Sequence, residues 1–339
     1  MRYPQVTRDH VSRGDVIDLR SEAVAPLHPE VRYALSQAPE GSDSYDEDPS
    51  VRELEARVAG MFAMGSALFV PTGRLANLLA IGALTEPGGE ALLDADAHIV
   101  RSEYGMMSRL WGIQTRTFGS DCGRVSWQHV GPLLATLQNP TVRTALVCVE
   151  DTHSIHGGVP QDLAATAELA SLLTSRGVRL YCDGARLWYA NAVRDVPLAR
   201  YGSLYDGLCV SLVKGIGAPV GAVVMLREAR RPDMRRLRRM LGGAWVRPGP
   251  LAYAALRALD VSRQDAQRDC ATAARLAAAM RGELPELDIR QETNVVMFDV
   301  PDAAAFFDKA ETARCSSTAP PPKPGKRCGP AQHAAARLP

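Results

Sequence analysis

Short apolar runs of strand length alternate with helix-length patterns along most of this chain, and that alternation limits it to a narrow set of folds. The runs are Ser66–Val70, Glu90–Asp94, Ala145–Glu150, Val178–Cys182 and Leu208–Val213. Each is too short for a stable helix and stops at polar or turn-forming residues. Helical patterns lie between them, most clearly Leu75–Leu84 and Leu163–Ser175. An earlier helix opens at Pro49-Ser50 and repeats Val51, Leu54, Val58, Met61 and Phe62 along one face. Strands joined through helices need right-handed crossovers, which build a largely parallel sheet covered on both faces. The expected fold class is therefore α/β.

In such sheets ligands bind at the carboxyl ends of the strands. Here those ends deliver Thr72-Gly73-Arg74, His98, Thr152-His153, Asp183-Gly184-Ala185-Arg186 and Lys214. Lys214 stands out, because arginine fills every other lysine-or-arginine position before Asp308. Arginine stays charged and cannot serve as an amine nucleophile, whereas lysine can lose its proton and form an imine. The Thr72–Arg74 turn runs from a strand into a helix, where backbone N–H groups and the helix dipole favour a phosphate. His98 and His153 are candidates to stack on a ring or to move protons. An imine-forming lysine, a phosphate turn and a carboxylate one strand–helix–strand unit earlier, at Asp183, together suggest pyridoxal 5'-phosphate. That cofactor needs an amine for its aldehyde, a carboxylate for its pyridine nitrogen and a cup for its phosphate.

Composition narrows the partners. With 339 residues the chain can bury one large core and a smaller one, and a net charge of +1 gives no reason to expect nucleic acid or a membrane surface. The apolar stretch Leu75–Leu84 is flanked by Arg74, interrupted by Asn77 and stopped at Pro87-Gly88-Gly89, so no membrane span is expected. Met1–His10 has no signal-peptide core. Cys148, Cys182 and Cys209 sit inside apolar runs, which reads as buried free thiols in a reducing, cytoplasmic setting, and no cysteine pairing suggests a metal. The acidic stretch Gly41–Pro49 reads either as a solvated loop or as an ordered loop over a site. Four segments are expected: an N-terminal segment 1–20, a large cofactor-binding domain 21–250, a partial small domain 251–308 and a Pro-rich tail 309–339. In the small domain, helical patterns at Leu251–Leu259 and Ala266–Met280 precede a strand at Asn294–Val300. The tail, with Pro320-Pro321-Pro322, has the composition of a disordered or aberrant end.

Taken in order, the motifs resemble the threonine aldolases within the β-eliminating lyases of fold type I. They include Asp18-Leu19-Arg20-Ser21, Tyr45-Asp46-Glu47-Asp48-Pro49, Val70-Pro71-Thr72-Gly73-Arg74-Leu75-Ala76-Asn77 and Ala97-His98-Ile99. Thr152-His153, Asp183-Gly184-Ala185-Arg186, Ser211-Leu212-Val213-Lys214-Gly215 and Gly217-Ala218-Pro219-Val220-Gly221 continue the series. The resemblance implies a fold type I large domain with a smaller C-terminal α/β domain, pyridoxal 5'-phosphate as cofactor and a homo-oligomer, usually a tetramer, with shared sites. It also implies that Lys214 carries the cofactor, Asp183 faces the pyridine nitrogen and His98 stacks on the ring. Thr72, Gly73 and Arg74 would hold the phosphate, and Arg186 would meet the phenolic oxygen or the substrate carboxylate. Ser21 would help bind that carboxylate, and His153 would sit near the β-hydroxyl. The implied reaction cleaves a β-hydroxy-α-amino acid of the threonine type to glycine and an aldehyde, with Lys214, His98 and His153 as the catalytic groups.

The chain departs from the family pattern at four places. One is Gly242-Gly243-Ala244-Trp245-Val246-Arg247-Pro248-Gly249, where the arginine is displaced by one position and a proline is added, so the family role of that arginine is not assigned to Arg247. Arg74 stands where relatives usually carry threonine, and Ser154-Ile155-His156 follows His153 in place of the usual asparagine. The Pro-rich tail occupies the part of the small domain where the family's carboxylate-binding arginine lies. The readings left open are β-elimination, transfer of the glycyl carbanion to another aldehyde, and a catalytically defective homologue.

Overall fold

A computed structural model describes residues 17–135, 142–229, 231–303, 305–306, 309, 315–316 and 332–337. Its main sheet has strands β1 (Ser66–Val70), β2 (Glu90–Asp94), β3 (Gln114–Phe118), β4 (Thr144–Glu150), β5 (Arg179–Gly184), β6 (Gly207–Ser211) and β7 (Ala222–Leu226). They lie in the order β1-β7-β6-β5-β4-β2-β3. Neighbours from β6 across to β3 are parallel, while β7 runs antiparallel to both β1 and β6. The fold is α/β with a mostly parallel sheet flanked by helices. β1, β2, β6 and β7 are buried along their whole length and β5 at every residue but Arg179, which is why their centres are apolar.

Two strands of this sheet were not expected. Phe118 is the one buried residue of β3, and the strand's polar Gln-Thr-Arg-Thr start suits the sheet edge it occupies. β7 follows β6 with no intervening helix, so its apolar residues lack the alternation that exposed the other strands. The return between them is possible because Gly221 adopts φ +101°, and a Cβ there would lie 2.5 Å from the Phe69 ring and 2.9 Å from the Val70 carbonyl.

Helix α1 (Pro49–Phe62) starts because the Asp48 carboxylate accepts from the Ser50 and Val51 N–H groups at 3.1 Å, with Pro49 in the first turn. It buries Val51, Leu54, Val58 and Phe62 against one face of the sheet. Removing the Phe62 ring costs about 3–5 kcal/mol on the scale of buried aromatic truncations. Helix α2 (Gly73–Leu84) is capped by Thr72, whose hydroxyl accepts from the Leu75 N–H at 3.2 Å, and it buries Leu79, Ile81 and Leu84 on the opposite face. Helix α3 (His98–Ser102) opens after β2, and helix α4 (Leu187–Arg194) after β5.

Helix α5 (Arg231–Met240) orders the acidic Gly41–Pro49 stretch. Its Arg238 is fully buried, donates to the Phe69 carbonyl at 2.7 Å and pairs with Asp43. Arg235 reaches Asp43 at 2.9 Å and Asp46 at 3.1 Å. The loop is therefore pinned beside β1 rather than simply solvated.

One continuous helix, α6 (Gly249–Glu283), replaces the two separate helices expected past Pro250, because no glycine or proline interrupts the sequence between them. Its later turns bury Ala273 and Ala277 with Ile289, Val296, Phe298 and Val300 in a second core. Strand β8 (Arg290–Gln291), β9 (Val295–Val300) and β10 (Gln332–Arg337) form an antiparallel sheet in the order β10-β9-β8. Cys315–Ser316 pairs with Ile17–Asp18 in parallel. The rest of the tail expected to be disordered, and most of the expected 1–20 segment, lie outside the described residues. Among the described residues no helix is long and apolar enough to cross a membrane.

Candidate active site

The strand register brings the candidate residues to one edge. Asp183 of β5 pairs with Glu150 of β4 on one side and with Cys209 of β6 on the other. Lys214 follows β6 in the loop that returns through Gly221, and its N–H donates to the Ser211 hydroxyl at 3.1 Å. The same hydroxyl accepts from Val213, so a single serine shapes the turn that carries the lysine. Trp188 of α4 braces this turn from below, its indole N–H donating to the Ser211 carbonyl at 2.7 Å.

Asp183 is buried, and its two oxygens have separate donors. Oδ1 accepts from the Ala185 N–H at 3.1 Å, and Oδ2 accepts from Asn77 Nδ2 at 2.9 Å. Asn77, on α2, gives its other amide hydrogen to Glu103 Oε1 at 2.8 Å. Its carbonyl accepts from the Tyr181 hydroxyl at 2.7 Å and from Cys209 Sγ at 3.3 Å. Glu103 Oε1 also meets His98 Nδ1 at 3.0 Å. A continuous chain thus runs His98–Glu103–Asn77–Asp183. Burial opposes charge on His98, but the Glu103 contact and the carboxylates of Asp183 and Glu150 outweigh it and raise its pKa. Burial, with Asp183 nearby, raises that of Glu103.

Glu150 joins His98 to the Asp151–Val159 loop. Its carboxylate accepts from the His98 N–H at 2.8 Å and from the Ser154 N–H at 2.9 Å. Although burial pushes its pKa up, the neighbouring histidines and these N–H groups prevail and lower it. His153 is fully buried, with Nε2 3.5 Å from Asp94 and 3.9 Å from Glu150. The structure therefore sets His153 beneath the edge, linked to His98 through Glu150.

Arg186 is buried and donates from Nε to Glu22 Oε1 at 2.6 Å. Burial works against its charge, and the Glu22 carboxylate more than restores it. Ser21 precedes that carboxylate, caps the short Glu22–Val24 turn and lies 3.3 Å from Glu22 Oε2. Thr72 and Gly73 sit at the start of α2, where a Cβ on Gly73 would meet nothing within 4 Å. Arg74 is exposed, with its guanidinium 5.5 Å from the centre of the Tyr104 ring. Sequence reasoning missed Glu22, Asn77, Glu103 and Glu150. Glu22 adjoins Ser21, and a buried arginine needs a carboxylate partner, while Asn77 and Glu150 lay inside segments already singled out but without a role.

The site fits pyridoxal phosphate on its own chemistry. A buried carboxylate held by two donors suits a protonated ring nitrogen, the open start of α2 suits a phosphate, and Lys214 supplies the amine. An α/β sheet with these groups at its carboxyl edge defines an enzyme class that holds its ligand at strand ends. The beta-eliminating lyase family model matches residues 18–303, so the chain belongs to that family and is a pyridoxal-phosphate-dependent lyase. It is 31% identical over 298 residues to a probable low-specificity L-threonine aldolase 2 of Arabidopsis thaliana, covering 86% of this chain and 83% of that relative. It superposes on a threonine aldolase of Leishmania major with TM-score 0.82 at 16% identity, covering 95% of this chain and 94% of that one. A serine palmitoyltransferase of Sphingomonas wittichii gives TM-score 0.74 at 18% identity, covering 95% and 82%. At these identities the two structural likenesses establish a shared fold.

Proposed function

We propose that the chain cleaves the Cα–Cβ bond of a β-hydroxy-α-amino acid of the threonine type, giving glycine and an aldehyde. The observation that carries this reading is the chain from His98 to Asp183, which ties an imidazole to the carboxylate on β5, the strand paired with the one that leads into Lys214. Lys214 would hold the cofactor covalently, Asp183 would keep its ring nitrogen protonated, and Thr72, Gly73 and Arg74 would hold its phosphate. When bound, the cofactor supplies an electron sink for the pair left on Cα when the bond breaks.

The residues do the rest. His98, its Nδ1 fixed by Glu103, would lay its imidazole face on the cofactor ring, with Nε2 left to take the proton from the substrate's β-hydroxyl. That proton loss lets the β-oxygen become a carbonyl as Cα–Cβ breaks, and a proton returned to Cα completes glycine. His153 supports His98 through Glu150, and Arg186, oriented by Glu22, faces the substrate carboxylate with Ser21. The resemblance of the chain to curated threonine aldolases supports this substrate class. The resemblance to the threonine aldolases supports a homo-oligomer. We also infer a cytoplasmic enzyme, and a large domain spanning 21–250.

Incubating the loaded enzyme with threonine tests the reading. Glycine and acetaldehyde in equal amounts are expected. Ammonia with a 2-oxo acid would instead establish β-elimination, and no product from any β-hydroxy-α-amino acid would favour the defective homologue.

A further inference from the structure

The loop that carries His153 also carries His156, and together with the end of β2 it forms a donor cluster distinct from the cofactor-binding groups. We propose that Asp94, His153 and His156 bind a divalent transition-metal ion, with zinc the ion best suited to their donor set. One ligand atom from each of the three lies within 4.8 Å of the others. His153 Nε2 is 3.5 Å from Asp94 Oδ1, too long for a good hydrogen bond. A tetrahedral zinc with bonds of about 2.0–2.2 Å holds its nitrogen and oxygen ligands about 3.4 Å apart, which matches that separation. The remaining donor pairs, within 4.8 Å of one another, need to close by up to about 1.4 Å to reach that separation.

His153 gives the independent observation. It is fully buried, and neither ring nitrogen has a hydrogen-bond partner. Native interiors rarely leave such atoms unsatisfied. An ion on Nε2 satisfies one of the two nitrogens. Gly123 closes the site from above, since a Cβ there would lie 2.6 Å from His153 Cγ. The His156 ring stands 4.7 Å from that of His153, and its Nε2 lies 3.5 Å from Asp96 Oδ2, so Asp96 supplies a further carboxylate at the rim. The loop is preformed: the His153 N–H donates to Val159 O at 2.8 Å and the Gly158 N–H returns to His153 O at 2.9 Å. Mixed imidazole and carboxylate donors without thiolate suit zinc with one position left for water. An ion here would lock the Asp151–Val159 loop onto β2 and so fix Glu150, which holds His98.

The test uses untagged, cofactor-loaded protein, exposed to zinc, freed of excess by gel filtration and assayed for metal by plasma mass spectrometry. About one zinc per chain is expected for the wild type, and under about a tenth for His156→Ala and Asp94→Asn, each removing one of three ligands. Asp96→Asn should keep the ion but weaken its affinity by about 10–100-fold, the usual effect of losing an outer carboxylate. His156→Gln, which keeps the side chain's bulk, with circular dichroism as a folding check, separates ligand loss from misfolding. Wild type without zinc overturns the proposal, as does full occupancy in a folded His156→Gln. Loss of zinc in His98→Asn but not in His156→Gln overturns it too, by moving the ion to the His98–Glu103–Asp183 group.

Discussion

Replacing Asn77 with leucine removes the hinge of the site while nearly keeping its volume. Asn77 uses all its amide positions, giving two hydrogens to Glu103 and Asp183 and accepting from Tyr181 and Cys209. Leaving a buried polar group without its partner costs about 1–3 kcal/mol, and several groups here lose theirs together. Leucine regains some apolar burial, so the net loss should be about 3–5 kcal/mol. Urea denaturation at fixed protein and cofactor concentration measures it. A double-mutant cycle then isolates one arm: Tyr181→Phe alone should cost about 0.5–1.5 kcal/mol and add little once Asn77 is leucine. A loss below about 1 kcal/mol for Asn77→Leu, or full additivity with Tyr181→Phe, would refute the claim that Asn77 joins these groups.

Other expectations follow from the same contacts. Glu22→Ala leaves buried Arg186 without its carboxylate and should cost about 3–5 kcal/mol in urea melts, with a raised KM for substrate. Asp43→Asn weakens the partner of fully buried Arg238 and should lower the urea midpoint far more than Asp46→Asn, whose carboxylate is half exposed. Asp269 has its pKa raised from 3.8 to about 6, chiefly by burial. Its folded form holds the proton more tightly, so it adds stability below pH 4 that is lost as pH rises towards about 6. The melting-temperature difference between wild type and Asp269→Asn should therefore fall across that interval, and a flat difference would exclude the effect.

The sequence exposed most of the sheet because β1, β2, β5 and β6 are buried on both faces and read as plain apolar runs. β3 escaped because an edge strand can be polar, and β7 because no helix separates it from β6. Within the site, Lys214, Asp183, His98 and Thr72 were legible because chemistry demands those residue types at strand ends. Asn77 and Glu103 were not, since an amide inside an apolar helix and a carboxylate after a short one carry no local pattern. Their meaning comes only from the fold, which sets them between His98 and Asp183. His153 carried a clear motif, yet spacing alone could not reveal that it is fully buried.

The most direct measurement fixes where the cofactor is attached. Borohydride reduction of the loaded protein makes an imine permanent, and peptide mass spectrometry then locates the pyridoxyl group. Only Lys214, Lys309, Lys323 and Lys326 are available among the side chains. The account predicts one pyridoxyl group on Lys214, and in Lys214→Ala neither that label nor glycine released from threonine. A label confined to Lys309, Lys323 or Lys326, or undiminished threonine cleavage by Lys214→Ala, would contradict it.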